Sequence, residues 1–158
     1  MSRDVSVWIR TLLRGAVATV LLLIANAAMA LPSQATGSHK DPLENTSWQL
    51  VQFRGGDGTI ETPDDRGKYT IAFAAAGQLA ARLDCNRGRG TWKPTGRRQI
   101  EFGPLALTRA KCPPESLHDQ MARHWTLIRS YVIKDGHLFL SLADGGTYEF
   151  EPMPKGGR

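Results

Sequence analysis

Alternating apolar and polar positions dominate the 158-residue chain from residue 46 onwards. Alternation with a period of two is the pattern of a β-strand whose two faces meet different surroundings. It predicts a first strand over residues 46–54, partly buried on both sides. The two faces of this strand carry Trp48, Leu50 and Gln52 on one side, and Val51 and Phe53 on the other.

Three hairpins are predicted from further alternating runs separated by turn residues. They join residues 69–73 to 79–85 across Ala76-Gly77, 90–93 to 98–102 across 94–96, and 131–133 to 138–142 across Asp135-Gly136. A last strand is predicted at 148–150, after the turn residues Asp144-Gly145-Gly146. Most of the chain is therefore expected to be antiparallel β-structure.

One helix is predicted after Pro113 and Pro114, where Glu115 suits the positive end of a helix dipole. Apolar side chains then recur every three or four residues, at Leu117, Met121, Trp125 and Ile128. We expect an α+β fold that is mostly antiparallel β. About eight short strands would form a curved sheet or a partly closed barrel, with one packed α-helix.

The first 30 residues have the pattern of a cleaved export signal. Arginines precede an uncharged apolar run at 15–24, and Ala28-Met29-Ala30 satisfies the small-x-small rule of signal peptidase. The apolar run is about half of the roughly 20 residues that a membrane-spanning helix needs. The expected organisation is a signal peptide over 1–30, a flexible leader over 31–42, a domain over 43–152 and a flexible tail over 153–158.

Cys85 and Cys112 are the two cysteines of the chain. In an oxidising compartment such a pair is typically a disulfide rather than a metal site. Redox-active cysteines usually lie two residues apart near a helix start, so a structural bond is the favoured interpretation. No cysteine lies beside the predicted cleavage site, where a lipoprotein would be acylated. We therefore expect a periplasmic or secreted monomer without a stable membrane anchor.

The sequence offers no constellation for catalysis, for a metal or for a cofactor. His118 and His124 lie six residues apart, about 240 degrees around a helix, so they cannot easily share a metal. Ser116, His118 and Asp119 are too crowded for a catalytic triad. Glu149 and Glu151 share a strand face and are interpreted as solvent-facing. No catalytic residue, metal ligand or cofactor site is predicted.

Basic residues concentrate between residues 82 and 111, which carry a net charge of +6, whereas the rest of the chain after residue 30 sums to −3. A basic patch attracts anionic lipid, lipopolysaccharide or an acidic protein. A solvated hairpin face is the simpler alternative, and both stay open. The candidate patch consists of Arg87, Arg89, Lys93, Arg97 and Arg98. Nucleic acid is not an expected partner.

A set of short motifs occurs in a distinctive order along the chain. It comprises Trp48, Cys85-Asn86, Gly90-Thr91-Trp92, the run from Ile100 to Leu105, Thr108-Arg109-Ala110-Lys111-Cys112-Pro113, the helix, Leu138-Phe139-Leu140 and the run from Gly146 to Phe150. In this order the residues over 43–152 resemble the META domain, the family of the heat-shock-associated bacterial envelope protein HslJ. Two features depart from the family pattern. Asp84 stands where a glycine often precedes the Cys-Asn pair, and the lipoprotein cysteine of several relatives is missing.

The resemblance implies a compact antiparallel fold with a packed helix and no established catalytic activity. Family members are associated with the bacterial envelope, heat shock, novobiocin resistance and, in a protozoan branch, virulence. Thr108 belongs to the motif. Asn86 is expected to adopt a left-handed turn or to hydrogen-bond the loop backbone, and Arg109 to bridge the two cysteine-bearing segments.

The expected function is that of a noncatalytic exported META-domain protein of the bacterial envelope. It would act as a binding or accessory module linked to envelope stress or drug tolerance, with an envelope protein or anionic envelope component as its partner. The alternative is a lipocalin-like carrier in which Trp48, Phe73 and Leu140 surround a small apolar ligand.

Overall fold

A computed structural model describes residues 40–154. The predicted signal peptide, and most of the predicted leader and tail, lie outside these residues. The elements are β1 (Thr46–Arg54), β2 (Ile60–Glu61), β3 (Tyr69–Phe73), β4 (Gln78–Leu83), β5 (Asn86–Gly96), β6 (Gln99–Phe102), β7 (Ala106–Leu107), α1 (His118–His124), β8 (Ile128–Lys134), β9 (His137–Leu142) and β10 (Thr147–Pro152). Within this part of the chain, no helix has the length and apolar character needed to span a membrane.

Eight of the strands form a closed antiparallel barrel. Their order is β1-β3-β4-β5-β6-β8-β9-β10, and β10 pairs again with β1 to close the ring. Two short strands extend the ring, β2 beside β1 and β7 beside β5. The pairing between β6 and β8 is the shortest in the ring, with the single residue pair Gln99 and Ser130. The predicted α+β class with a barrel is confirmed.

A β-bulge in β1 changes which of its side chains face the barrel interior. The pairing of β1 with β10 shifts register between Leu50 and Gln52. An extra residue in one strand moves the following side chains to the opposite face. Phe53 is consequently buried, like Trp48 and Leu50, and the prediction that it faces away from them is wrong. Gln52 faces outward, and its Nε2 donates to Glu149 Oε2 at 2.7 Å.

The barrel interior is packed with side chains from all eight strands. Its aromatic residues form a chain of contacts, with ring centroids 5.2 Å apart for Phe73 and Trp92, 6.0 Å for Phe73 and Phe102, and 4.8 Å for Phe102 and Trp125. Met121 of α1 is buried in the same cluster. The short helix therefore contributes its apolar face to the core of the barrel.

Several predicted boundaries differ from the structure. α1 begins at His118 instead of directly after Pro114, so Glu115 and Leu117 precede the helix, and β5 begins at Asn86 instead of residue 90. β5 continues through residues 94–96, so the hairpin turn falls at Arg97-Arg98, where Arg98 has a φ of 62°. The helix ends at His124 and is followed by a 3-10 turn over Trp125–Leu127. Ile128 begins β8 opposite Leu142 instead of ending the helix. Ile128 is buried, as its position in the helical pattern predicted, but its pairing with Leu142 gives it the backbone conformation of a strand.

The segment before β1 is attached to the barrel. Leu43 is fully buried. Asp41 accepts hydrogen bonds from Leu43 N at 2.9 Å and from Tyr131 Oη at 3.1 and 3.2 Å. Burial of the phenol, together with the charge of Asp41, raises the pKa of Tyr131 to about 12. The packed domain thus includes Asp41, at the end of the predicted leader.

Candidate functional site

The two cysteines join the start of β5 to the segment that precedes α1. Cys85 and Cys112 form a disulfide whose Cα atoms lie 5.5 Å apart. The residues are 27 positions apart. In the chain-entropy treatment, closing a loop of that length in the unfolded chain contributes about 3.5 kcal/mol. The bond stabilises the connection between a barrel strand and an irregular loop.

Asn86 makes a second connection between the same segments. Its side chain is 1% exposed. Nδ2 donates to Ala110 O at 2.9 Å, while Oδ1 accepts from Ala110 N and from Thr108 Oγ1, both at 2.8 Å. Thr108 Oγ1 in turn accepts from Arg87 N at 3.0 Å. We call Asn86, Thr108 and Ala110 the Asn86 clamp, because the Asn86 amide both donates to the carbonyl of Ala110 and accepts from its N–H.

The left-handed conformation considered for Asn86 occurs two residues earlier. Asp84 has a φ of 54°, and its N–H donates to Lys68 O at 2.7 Å. Glycine adopts positive φ without steric cost, whereas a Cβ is strained there and Asp is among the residues that tolerate it. The backbone therefore explains why a glycine suits the position before the Cys-Asn pair.

Arg109 has a different environment from the one expected for a bridging residue. Its side chain is exposed, and within residues 40–154 it takes part in no hydrogen bond or ion pair. Asn86 and Thr108 make the connection between the two cysteine-bearing segments. Arg109 is left on the surface of the loop, where it contributes positive charge.

The five residues of the predicted basic patch lie along β5 and the hairpin turn that follows it. Arg87 and Arg89 project outward from the beginning of β5, whereas Lys93 pairs with Glu101 at 3.1 Å. Arg97 and Arg98 occupy the hairpin turn, about 25 Å further along an extended strand. Arg87 and Arg89 lie at one end of this row, and Arg97 and Arg98 lie at the other.

Arg82, which the predicted patch omits, joins Arg87 and Arg89. Arg82 of β4 lies directly opposite Arg87 of β5. Its guanidinium is held by two backbone carbonyls, with Nε donating to Asp84 O at 2.9 Å and Nη1 to Gly67 O at 3.3 Å. The register of the β4–β5 hairpin, which was not predicted from the sequence, brings this pair together.

The three arginines border a groove on the outside of the barrel, which we call the outer groove. Its volume is about 950 Å³. The apolar part of its surface is formed by Ala72, Ala80, Ala106, Leu107, Met153 and Pro154. The residues that line it include Arg82, Arg87 and Arg89 but no carboxylate. The outer groove thus combines an apolar floor with uncompensated positive charge.

Comparison with known proteins identifies the fold family. The META domain model matches residues 41–155. This chain belongs to the META domain family. Among solved structures, an NMR structure of a protein from Burkholderia xenovorans has a TM-score of 0.62 and 23% identity, covering 72% of this chain and 85% of that one. The crystal structure of a DUF4847 family protein from Bacteroides vulgatus has a TM-score of 0.50 and 15% identity, covering 68% and 92% respectively. The sequence has no match among curated proteins.

The interior of this META domain is occupied by its own side chains. Trp48, Phe73 and Leu140, the residues proposed to surround a ligand, are 6%, 1% and 0% exposed and belong to one packed cluster. Phe73 lies on the inner face of β3, whereas Thr70 and Ala72 of the same strand line the outer groove on its other face. Space for a partner is therefore found on the exterior of the barrel.

His118 and His137 each lie beside a single carboxylate. His118 Nδ1 lies 2.8 Å from Asp119 Oδ1, while Ser116 Oγ accepts from the backbone N–H of His118. The three residues consequently lack the hydrogen-bond order of a catalytic triad. His137 Nδ1 contacts Glu149 Oε1 at 2.7 Å on the barrel exterior. Within residues 40–154 no cluster of three or more His, Cys, Asp or Glu side chains could hold a metal ion.

Two pKa shifts report on the packing of β10. Burial, with the nearby charge of Glu61, raises the pKa of Tyr148, whose hydroxyl lies 2.9 Å from His124 Nδ1. Hydrogen bonds from Gln49 and Arg66 lower the pKa of Glu151. Each shift has a local structural cause.

Proposed function

We propose that this META domain is a noncatalytic, exported binding or accessory module of the bacterial envelope, linked to envelope stress or drug tolerance. The outer groove is its binding surface, and its partner is anionic. The observation that carries the proposal is the combination of an apolar floor with three arginines and no lining carboxylate. Apolar contact supplies affinity in such a groove, and the charges supply orientation and specificity.

The arrangement of the arginines supports an anionic partner. Like charges directly opposite each other on antiparallel strands are destabilising, by up to about 1 kcal/mol. Arg82 and Arg87 occupy such a position. On the same barrel, Lys93 has Glu101 as its partner at 3.1 Å, and Arg66 has Glu151 at 2.9 Å. A bound anion would offset the repulsion at the groove.

Export is supported by two independent features. The Cys85–Cys112 bond requires an oxidising compartment to form and persist. The first 30 residues have the charge, apolar core and small-residue pattern of a signal peptide. The link to stress or drug tolerance rests on the resemblance to the HslJ branch of the family.

The alternative of a carrier with an internal ligand is less well supported. A drug-sized ligand needs a cavity of roughly 300 Å³ or more. The side chains that would surround it belong to one buried cluster in the barrel core. Binding on the exterior needs no rearrangement of that core.

Affinity capture from envelope extracts tests the proposal. The mature domain serves as bait in three forms: wild type, Arg87→Glu with Arg89→Glu, and the matched control Arg97→Glu with Arg98→Glu. The two variants have the same net charge but place it at opposite ends of the β5–β6 hairpin. We expect the same partner with wild type and with the control, and its loss with the groove variant. Equal recovery from all three baits would contradict a role for the outer groove.

Export and physiological role need separate measurements. Mass spectrometry of the exported protein should give a chain that begins near Leu31 and contains the intact disulfide. A full-length cytoplasmic chain with free thiols would refute export. A strain that lacks the gene should lose viability under heat or novobiocin and recover with the wild-type copy. Unchanged viability would remove the stress link without touching the binding role.

A further inference from the structure

We infer that the partner in the outer groove is an extended acidic peptide segment of another protein. The inference rests on the proposed function, because it names the chemistry of the partner for that same groove. In this arrangement carboxylates of the peptide contact Arg82, Arg87 and Arg89, and its small apolar side chains lie on Ala72 and Ala80.

The arginines are spaced for several carboxylates. Residues directly opposite on antiparallel strands have Cβ atoms about 5 Å apart, and residues two apart along a strand are separated by about 7 Å. Arg82 and Arg87 have the first relation, and Arg87 and Arg89 the second. Guanidinium groups bind carboxylates through paired hydrogen bonds. Three such groups on two strands can contact two or three separate acidic side chains.

The dimensions of the groove match a short extended segment. It crosses β1, β3, β4, β5 and β7, from Gln49 to Ala106, with Met153 at one end. Neighbouring strands lie about 4.8 Å apart, so five strands span roughly 20 Å, the length of about six extended residues. The arginines lie towards one end of this span. The acidic residues of the peptide would therefore cluster, followed by small apolar ones.

Polar groups on the groove floor favour a peptide over an acyl chain. Gln49 donates through Nε2 to Glu151 at 2.7 Å, which leaves its Oε1 as an acceptor. Thr70 also lines the groove with a hydroxyl-bearing side chain. A peptide backbone offers an N–H and a C=O at nearly every residue, whereas an acyl chain would cover these polar groups without satisfying them.

Fluorescence anisotropy with the mature domain tests the inference. The probe is a labelled peptide of three glutamates followed by alternating alanine and leucine, and the control probe carries lysines in place of the glutamates. We expect saturable binding of the acidic probe that weakens as salt is raised. Arg87→Glu with Arg89→Glu should weaken it by about tenfold or more, and Arg97→Glu with Arg98→Glu by less than about twofold.

A second variant, Ala80→Trp, tests the groove without changing its charge or disturbing the core. Ala80 is exposed on β4, so Ala80→Trp should leave the thermal unfolding midpoint nearly unchanged while blocking the floor. Weaker binding by this variant would support the groove as the site, and unchanged binding would overturn it. Circular dichroism melting of each variant shows that a lost interaction is not lost folding.

The lipid alternative is tested with vesicles that contain phosphatidylglycerol. The result that would overturn the inference has two parts. The wild-type domain sediments with these vesicles while the Arg87→Glu with Arg89→Glu variant does not, and the acidic peptide does not bind. That result would identify an anionic lipid as the occupant. The inference would also be overturned if the domain bound neither the acidic peptide nor the vesicles. The affinity capture then decides separately whether the outer groove binds another partner, since that experiment assumes no peptide.

Discussion

Replacing Asn86 with alanine should destabilise this META domain more than its small change in volume suggests. The side chain is almost completely buried and makes hydrogen bonds of 2.8 to 2.9 Å to the backbone of Ala110 and to Thr108. Its removal leaves Ala110 N and O and the Thr108 hydroxyl without these partners. Thr108 and Ala110 are exposed residues, so water can partly replace the lost partners, and only the net contribution of each hydrogen bond is lost.

The expected loss follows from the number of bonds. Three hydrogen bonds, each with a net contribution of about 1 kcal/mol, give a decrease of roughly 3 kcal/mol in the free energy of unfolding. Thr108→Val preserves the shape of the side chain and removes its bonds to Asn86 Oδ1 and from Arg87 N. It should cost about 2 kcal/mol, and the double variant should cost less than the sum, because the Asn86–Thr108 bond is shared.

Urea denaturation of the oxidised mature domain, followed by tryptophan fluorescence, measures these differences. Arg109→Ala is the matched control, since its exposed side chain comes from the same loop, and it should change stability by less than about 0.5 kcal/mol. Mass spectrometry must show that Cys85–Cys112 is intact in every sample. A loss below about 1 kcal/mol for Asn86→Ala, similar to that of Arg109→Ala, would refute the Asn86 clamp as a stabilising element.

Three further substitutions test other parts of the fold. Asp84→Gly should leave thermal stability unchanged or raise it by up to about 1 kcal/mol, because it relieves the strain of a φ of 54°; a clear loss would mean that the Asp84 side chain is required. Leu43→Ala should cost about 2 to 5 kcal/mol in urea denaturation, because Leu43 is fully buried; a cost below about 1 kcal/mol would show that the segment before β1 is not part of the core. The pKa of Tyr131 is about 12 in the folded state and 10.0 for an unperturbed tyrosine. The protonated phenol therefore contributes its full stability to the fold below about pH 10, and this stability is lost as pH rises to about 12. Tyr131→Phe should therefore reduce the loss of stability between about pH 10 and 12, and an unchanged alkaline profile would contradict the assignment.

Much of the strand content was predictable from periodicity. β1 has the bounds that alternation predicted, and the β3–β4 and β8–β9 hairpins follow their predicted turns. Burial of one face requires a period of two, so the signal is present in the residues of the strand itself. The family assignment was likewise predictable, since the Cys-Asn and Thr-Arg-x-x-Cys-Pro motifs are local.

The errors occur where distant pairing overrides the local pattern. The bulge that turns Phe53 inward is defined by the register of β1 against β10, about a hundred residues away. Ile128 has the spacing of a helical residue and the backbone of a strand, because it pairs with Leu142. Neither partner can be identified from the residues that surround Phe53 or Ile128.

The sequence by itself determined most of the barrel strands, the two cysteines, the motifs typical of the META domain and the excess of basic residues, because each can be read from residue types and spacing along the chain. Only the tertiary structure decided that the barrel closes, that Asn86 rather than Arg109 connects β5 to the loop, and that Arg82 joins Arg87 and Arg89 beside an apolar groove. These properties depend on strand register and on which faces meet across the barrel. Pairing between distant segments decides both of them.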